Sequence, residues 1–282
     1  MEKNIEKNYI EGKVVVITGA SSGFGKLVSE KVAERGGIAI MGARRENLLK
    51  EVADGIIANG GKAFYRITDV AKYEDVKALV DLAVEKCGRI DVMINNAGTM
   101  PLSFFSDHEK SLPAWHNCID VNIKGVVNGI SAVYDLMMKQ GQGQVINLSS
   151  IYANHPVMGS GVYQATKIAT WYLSETLRQE AQGKIKVTTV KPTGIAGTGL
   201  FDCILNWDSV KGMFGAKTEE GLEMTSPEYM TAHPECTDIE SISYAGCDPN
   251  TLAENIMYVI NQPWGVNISD ITVRASNERY LL

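Results

Sequence analysis

The stretch that decides the fold is residues 14–25, VVVITGASSGFG. Its first four residues form a β-branched run, which is typical of a strand buried in a parallel sheet. The glycines and serines predict a tight turn, and a helical pattern follows over residues 26–34. Gly19 permits the turn, Gly23 lets the backbone approach a pyrophosphate, and Gly25 lets the helix pack closely on the strand. Because a helix N-terminus offers free N–H groups, this unit predicts a dinucleotide phosphate site.

The alternation of short apolar runs and amphipathic segments continues along the chain. We predict further strands over 38–41, 63–67, 91–94, 144–148, 186–190 and 268–273, and helices over 46–58, 73–87, 112–139, 162–182 and 251–261. Strands that alternate with helices predict a parallel sheet covered on both faces. The expected fold class is therefore α/β: a single doubly wound Rossmann domain with a seven-stranded parallel sheet over residues 12–282, after an N-terminal extension over 1–11.

The composition excludes several classes of protein. The formal net charge is −6, whereas proteins that bind nucleic-acid phosphates usually carry a basic surplus. The five cysteines include no CxxC pair, which argues against a disulfide framework and a zinc site. No run approaches the ~20 apolar residues of a membrane span, and residues 1–11 lack the apolar core of a secretory signal. We expect a cytoplasmic protein without a metal site, nucleic-acid partner or membrane contact.

The end of the second predicted strand bears on the choice of cofactor. Chains that prefer NAD usually place an acid there to hold the ribose 2′-OH, but residues 43–45 read ARR. Guanidinium groups can hold a 2′-phosphate through paired hydrogen bonds, which favours NADP over NAD. The alternative is that Arg44 and Arg45 are two solvated side chains on a loop. Asp69, after the third strand, either accepts a hydrogen bond from the adenine amine or only caps the next helix.

Tyr163 and Lys167 lie four residues apart in a predicted helix and therefore share one face. A free tyrosine has a pKa near ~10 and is a poor base at neutral pH. A nearby ammonium group favours the phenolate and lowers that pKa, so that the phenol can exchange a proton with a substrate hydroxyl. Ser150, on the loop after a strand, could hold the substrate oxygen. Taken alone, such a tyrosine–lysine pair is more often structural than catalytic.

A set of motifs, taken in order, resembles the short-chain dehydrogenase/reductase family. Residues 18–25 match its TGxxxGxG pattern, residues 95–98 match NNAG, and residues 163–167 match YxxxK. The resemblance runs from about residue 12 to at least residue 198 and resumes in the last helix and strand. It implies a Rossmann domain that binds a nicotinamide cofactor and interconverts a secondary alcohol and a ketone.

The resemblance also implies a catalytic tetrad. Tyr163 would be the general acid/base, and Ser150, at the family's usual separation of thirteen residues, would polarise the substrate oxygen. Lys167 would lower the pKa of the tyrosine and hold the nicotinamide ribose. Asn122 matches the family asparagine whose backbone holds a water linked to the lysine, and it would anchor a proton relay.

The expected cofactor site combines the loop chemistry with this resemblance. Besides Tyr163 and Lys167, its members are Gly19, Ser21, Ser22, Gly23, Phe24, Gly25, Arg44, Arg45, Asp69, Val70, Asn96, Ala97, Gly98, Pro192, Gly194, Ile195 and Thr198. One departure concerns residues 192–198, PTGIAGT. The family usually has Pro-Gly directly after the sixth strand and then a threonine near the nicotinamide amide. One extra residue therefore separates Thr198 from the usual pattern.

The segment over about 199–250 sits where the family places the helices that cover its substrate. We predict a partly helical lid, because its apolar content argues against disorder. Met and aromatic side chains supply adaptable apolar surface, which suits a bulky apolar ligand such as a steroid or a bile acid. The expectation rests on Trp207, Met213, Phe214, Met224 and Met230, and the segment also carries the apolar residues Phe201 and Leu205.

Other interpretations remain open at the level of sequence. The lid residues could instead pack on the protein's own core or on a neighbouring subunit. The substrate could be a small ketone or a hydroxy-amino acid, or the chain could be a non-catalytic NADP sensor. By resemblance, a homodimer or homotetramer is expected.

Overall fold

The structure is a computed structural model that describes residues 7–195, 197–224 and 226–280. Residues 1–6 of the predicted N-terminal extension, and Ala196 in the loop after the sixth strand, lie outside the described residues. Within that extension, Ile10 is fully buried and the backbone N–H of Tyr9 donates to the Asn261 side chain. Packing of the domain therefore begins before Gly12, the boundary that the sequence predicts.

Seven strands form one parallel sheet in the order β3-β2-β1-β4-β5-β6-β7. They are β1 Val14–Thr18, β2 Ile38–Ala43, β3 Lys62–Ile67, β4 Val92–Asn95, β5 Gly143–Leu148, β6 Ile185–Pro192 and β7 Asp270–Val273. Helices cover both faces of this sheet, so the predicted fold class is confirmed.

The helices fill the connections between the strands. They are α1 Gly23–Glu34, α2 Glu46–Ala58, α3 Tyr73–Cys87, α4 His108–Ile119, α5 Gly125–Gln140, α6 Gly161–Glu180, α7 Thr218–Met224, α8 Pro227–Ala232 and α9 Pro249–Ile260. The helix predicted over 112–139 is two helices, α4 and α5, joined by a π-helical turn at Asp120–Lys124. No helix of the described residues is long and apolar enough to cross a membrane.

The β-branched run of β1 shows why this strand is central. Successive side chains of a strand point to opposite faces. Val15 and Ile17 therefore enter a cluster with residues of α1, α2 and α9, whereas Val14 and Val16 enter a cluster with residues of α3, α5 and α6. Each such side chain contributes roughly 1.5–3 kcal/mol by burial. A continuous apolar run thus fits only a strand that is covered on both sides.

The strand order places a crevice beside β1. The chain moves outward in one direction from β1 to β3, and then returns to the other side of β1 with β4. In an open parallel sheet, ligands bind at this reversal, outside the carboxyl ends of the strands. The glycine turn after β1 and Asn96 after β4 therefore meet at one place.

A buried glycine controls how closely α5 approaches β4. A Cβ atom at Gly129 would lie 1.9 Å from Oδ1 of Asn95. We expect G129A to lower the free energy of unfolding by about 1–3 kcal/mol, because the helix must move away from the strand. G55A is the control, because it lies on an exposed face of α2 where a Cβ atom would have no atom within 4 Å. It should raise the free energy of unfolding by about 0.5–1 kcal/mol. Urea denaturation measures both, and a G129A protein as stable as its parent would contradict this account.

Candidate active site

The turn after β1 is held by residues that follow β4. The Thr18 hydroxyl accepts hydrogen bonds from the backbone N–H groups of Asn96 and Ala97, at 3.1 and 3.2 Å. The Asn96 side chain donates to the carbonyl of Thr18 at 2.8 Å. Gly19 has a φ of +69°, and a Cβ atom at Gly25 would lie 2.4 Å from the Gly19 carbonyl oxygen. Only glycine at these two positions lets the helix begin so close to the strand.

Arg45 reaches back from the end of β2 to the glycine turn. Its guanidinium group donates to the hydroxyls of Ser21 and Ser22, at 3.1 and 2.5 Å. Arg44 and Arg45 are both exposed and both line the cavity described below. The Arg45 guanidinium group and two hydroxyls therefore meet at the mouth of the turn, and Arg44 lines the same cavity. Such donors suit a phosphate group.

Asp69 takes part in the turn before α3. One of its carboxylate oxygens accepts from the backbone N–H of Ala71 at 3.1 Å, and its own N–H donates to Asp75 at 2.9 Å. The residue also lines the cavity. The alternative that Asp69 only caps the next helix is wrong, because the N-cap of α3 is Lys72 and Asp69 supports the preceding turn instead. Its contact with adenine stays a prediction.

One cavity of about 440 Å³ joins the glycine turn to the region of Tyr163. Gly23 and Asn122 are the only predicted site residues that do not line it. Two residues of the predicted lid, Phe201 and Met213, also line it. The sequence did not identify the other lining residues, which are Ala43, Thr68, Met100, Val121, Leu148, Ser149, Ile151, Tyr152, Thr193, Gly199, Leu200, Asp202, Cys203 and Leu252. Several of these follow strand ends directly, so strand position was a usable signal for Thr68, Ser149 and Thr193.

Ser150, Tyr163 and Lys167 meet at the inner part of this cavity. Tyr163 is 3% exposed, and the Ser150 hydroxyl is the nearby group that lowers the pKa of its phenol. The Lys167 ammonium group lies 5.7 Å from the centre of the Tyr163 ring and donates to the carbonyl of Leu148 at 2.8 Å. The Ser149 hydroxyl donates to the Lys167 carbonyl instead of facing the tyrosine. The serine that contacts Tyr163 is thus Ser150.

Burial is the main influence on the pKa values of Tyr163 and Lys167. It raises the pKa of Tyr163, although the Ser150 hydroxyl opposes the shift, and it lowers the pKa of Lys167 to about 8. The sequence predicts the opposite direction for the tyrosine, from the nearby ammonium group. The difference arises because both groups are fully desolvated, which disfavours a phenolate as much as an ammonium. The phenol is therefore held protonated and the lysine is easily neutralised.

Asn122 lies in the π-helical turn between α4 and α5, behind the cavity. Its side-chain oxygen accepts from the Thr99 N–H at 3.0 Å, and its amide donates to the Thr99 carbonyl and the Thr166 hydroxyl, each at 3.0 Å. Its backbone carbonyl accepts from the Thr170 hydroxyl at 3.4 Å. The side chain is therefore occupied in fixing α6 and the segment after β4, which leaves the backbone carbonyl as the group for any relay.

The loop after β6 lies directly over the glycine turn. A Cβ atom at Gly23, whose φ is +52°, would lie 2.5 Å from the Thr198 carbonyl oxygen. The Thr198 hydroxyl donates to the carbonyl of Ile195 at 3.2 Å, and both residues line the cavity. Despite the extra residue after Pro192, Thr198 is therefore brought to the same cavity as Gly19.

The predicted lid residues divide into three groups. Phe201 and Met213 line the cavity. Phe214 and Met224 are 3% and 5% exposed and do not line it, so they pack within the protein. Trp207 is 62% exposed. Met230 is also exposed, so both interpretations of the lid hold for part of it.

Among the described residues, no group of three or more His, Cys, Asp or Glu side chains could hold a metal ion. The groups that gather at the inner part of the cavity are the phenol of Tyr163, the hydroxyl of Ser150 and the amine of Lys167.

Comparison with known proteins agrees with this geometry. Residues 13–208 match the family described as short chain dehydrogenase. An uncharacterized oxidoreductase of Listeria monocytogenes is 35% identical over 269 residues, which cover 95% of this chain and 98% of that protein. The chain belongs to the short-chain dehydrogenase/reductase family and is an oxidoreductase of that family.

Two solved structures share the fold. An alcohol dehydrogenase from the archaeon Thermococcus sibiricus, complexed with 5-hydroxy-NADP, has a TM-score of 0.76 and 24% identity over 95% of this chain and 99% of its own. A 7α-hydroxysteroid dehydrogenase, complexed with NADH and 7-oxo glycochenodeoxycholic acid, has a TM-score of 0.79 and 21% identity over 99% of each chain. The two neighbours contain different nicotinamide cofactors.

The buried lysine makes stability depend on pH. The pKa of Lys167 in the folded protein, about 8, lies below the ordinary value of 10.5. Between these values the unfolded chain binds more protons, so the lysine's contribution to stability rises with pH. Below pH 8 its burial cost is present in full, on the order of 3 kcal/mol.

The comparison is with K167M, whose side chain does not titrate. Without cofactor, the free energy of unfolding of the parent should rise relative to K167M as the pH increases from 8 to 10.5. Urea denaturation at several pH values measures this difference. A difference that stays constant with pH would show that Lys167 keeps its ordinary pKa.

Proposed function

We propose that the protein is an NADP(H)-dependent oxidoreductase that interconverts a secondary alcohol and a ketone on a bulky apolar substrate. The observation that carries this proposal is the single cavity, which joins the glycine turn and Arg45 at one end to Ser150, Tyr163 and Lys167 at the other. A cofactor that spans this cavity would bring its reactive ring to the phenol.

The chain's residues fit a phosphorylated dinucleotide. Side chains are excluded at Gly19 and Gly25, where a Cβ atom would lie 2.9 Å from Ala97 and 2.4 Å from the Gly19 carbonyl oxygen, respectively. The backbone there is free to approach a pyrophosphate. The 2′-phosphate of NADP would lie against Arg44 and Arg45. We propose NADP rather than NAD because two arginines follow β2 and the end of that strand holds no acidic residue.

The proton chemistry would rest on the phenol of Tyr163. The nicotinamide supplies or accepts the hydride. Ser150 would hold the substrate oxygen by hydrogen bonding, and Tyr163, whose buried phenol stays protonated, would donate its proton to that oxygen during ketone reduction. Lys167, with its pKa of about 8, could then return a proton to the phenolate. The backbone carbonyl of Asn122 would anchor the supply of that proton from solvent.

The inner end of the cavity suits an apolar ketone. Its described lining there includes Met100, Ile151, Leu200, Phe201 and Met213, and such side chains bind large apolar surfaces. We therefore favour a ketosteroid or oxo-bile acid, a class to which the ligand of one structural neighbour belongs. A small ketone or a hydroxy-amino acid is the alternative. A non-catalytic NADP sensor is disfavoured because the tyrosine, lysine and serine are all present.

Self-association is part of the proposal. Exposed apolar side chains lie on α4, α5 and α6, where Leu112 is 48%, Val127 39% and Tyr172 62% exposed. Contact between copies would cover these side chains, as expected for a homodimer or homotetramer.

The first test replaces Tyr163 by phenylalanine. Y163F should lose turnover by about 10²–10⁴-fold, because it lacks the acid/base proton, and should bind NADPH almost as tightly as the parent. The matched control is Y172F on the exposed face of the same helix, which should keep full activity. The measurement is loss of NADPH absorbance with a panel of ketosteroids, oxo-bile acids and small ketones. Turnover that survives in Y163F would rule out this mechanism.

The second test concerns the choice of cofactor. Replacing Arg44 and Arg45 by alanine should lower kcat/KM for NADPH by roughly 10²-fold, since two charge-assisted contacts are lost, and should leave NADH unaffected. R178A, which removes an exposed charge from the far end of α6, controls for a general effect of charge. If the parent prefers NADH, the proposed role of both arginines is wrong.

A further inference from the structure

The segment after β7, residues 274–280, lies across the loop that follows β6. The Thr193 hydroxyl donates to the Glu278 carboxylate, and Arg274 pairs with the same carboxylate. The Glu278 side chain is 5% exposed and Thr193 is 8% exposed, so this bond is shielded from water. A hydrogen bond to a carboxylate is among the stronger ones, and burial strengthens it.

Tyr280 makes a second contact with this loop. A Cβ atom at Gly194 would lie 2.5 Å from the Tyr280 hydroxyl oxygen, so the absence of a side chain there accommodates the phenol. The Tyr280 ring lies 5.3 Å from the ring of Phe214, in the predicted lid. Tyr280 is partly buried, and this burial raises the pKa of its phenol to about 12. One side chain therefore touches both the loop after β6 and the lid.

Two further contacts tie the same segment to its surroundings. The Arg279 guanidinium group lies 2.9 Å from the Glu220 carboxylate of α7. The backbone N–H of Asn277 donates to the Tyr244 carbonyl at 2.8 Å. The segment is thus fixed at several points, independently of its bond to Thr193.

We propose that Glu278 is a positioning residue for the nicotinamide end of the cofactor, acting through Thr193. Thr193 is the residue that departs from the family pattern of Pro-Gly after the sixth strand. It lines the cavity together with Pro192 and Gly194. The extra residue lengthens this loop, and the hydrogen bond from Thr193 to Glu278 holds the loop in a single conformation. The inference rests on the proposed function, because it presumes that a nicotinamide binds beside this loop.

The physical consequence is preorganisation. A loop that must be ordered when the cofactor binds costs affinity, whereas a loop held in place beforehand does not. A nicotinamide that is displaced by about 1 Å also transfers hydride more slowly. Loss of the bond should therefore appear in the affinity for NADPH and in kcat, while KM for the ketone changes little.

The experiment compares T193V, E278A and the double variant, with E278Q and R274A as controls. T193V keeps the shape of the side chain and removes only its donor. We expect NADPH to bind about 10-fold more weakly in each single variant, the cost of one buried hydrogen bond. The double variant should be no worse than the single ones, because both remove the same bond. At saturating NADPH, kcat should fall by a similar factor.

The controls separate the bond from the charge. E278Q keeps an acceptor oxygen and should retain most of the affinity for NADPH, and R274A should stay within about threefold of the parent, as expected for a partly exposed ion pair. Effects of T193V and E278A that multiply, or affinities equal to that of the parent, would overturn the proposal. So would R274A weakening NADPH binding as much as E278A does.

Amide hydrogen exchange without cofactor tests the bond separately from the reaction. The amides of residues 193–195 and 197–199 should lose protection in T193V and E278A and keep it in R274A. If the parent binds no NADPH, the proposed function fails, and exchange still decides whether Glu278 orders the loop. If the parent binds NADPH but exchange is unchanged in all variants, only the role of Glu278 fails.

Discussion

The close approach of the first helix to the first strand is the constraint on which the site depends. It requires Gly25 to sit against the carbonyl of Gly19, and it requires Asn96 to hold the turn from the neighbouring strand. A methyl group at Gly25 would lie 2.4 Å from the Gly19 carbonyl oxygen and force the helix away, whereas one at Gly19 would lie 2.9 Å from Ala97 in the segment after β4. The same approach brings the serines of the turn within reach of Arg45. The close spacing of α1 and β1 therefore also determines that the Arg45 guanidinium group lies at the mouth of the cavity.

A network of hydrogen bonds between buried amides and a hydroxyl connects two strands of the sheet to α6. The Asn95 side chain donates to Asn147 of the adjacent strand, and Asn147 donates to the hydroxyl of Ser174 on α6, each at 2.8 Å. The helix that bears Tyr163 is therefore tied to β4, and Asn96, the residue after β4, holds the glycine turn. Buried polar networks of this kind specify one arrangement of their elements, because an unpaired member is costly. The phenol is placed by the same framework that places the glycines.

Much of this arrangement could be predicted from the sequence, because it depends on local patterns. The β-branched run 14–17 and the turn after it define a strand and a helix by themselves. The spacing of the motifs likewise predicted that Ser150 and Tyr163 lie at one site, and both line the cavity. The direction of the tyrosine's pKa shift could not be predicted, since it depends on burial by distant segments. The contact of Thr193 with Glu278, eighty-five residues away, leaves no local pattern at all.

The crevice beside β1 links folding to binding. Its two walls come from the strand–helix units before and after the return of the chain to β4, units that are separate until the sheet is complete. A partly folded chain that has formed only one wall lacks a complete binding site for a dinucleotide. Any ligand that fills the crevice is then bound by the native state alone, and it stabilises that state by RT ln(1 + [L]/Kd). A dinucleotide bound there would act as the last element of the protein to be packed, and its concentration would set part of the free energy of unfolding.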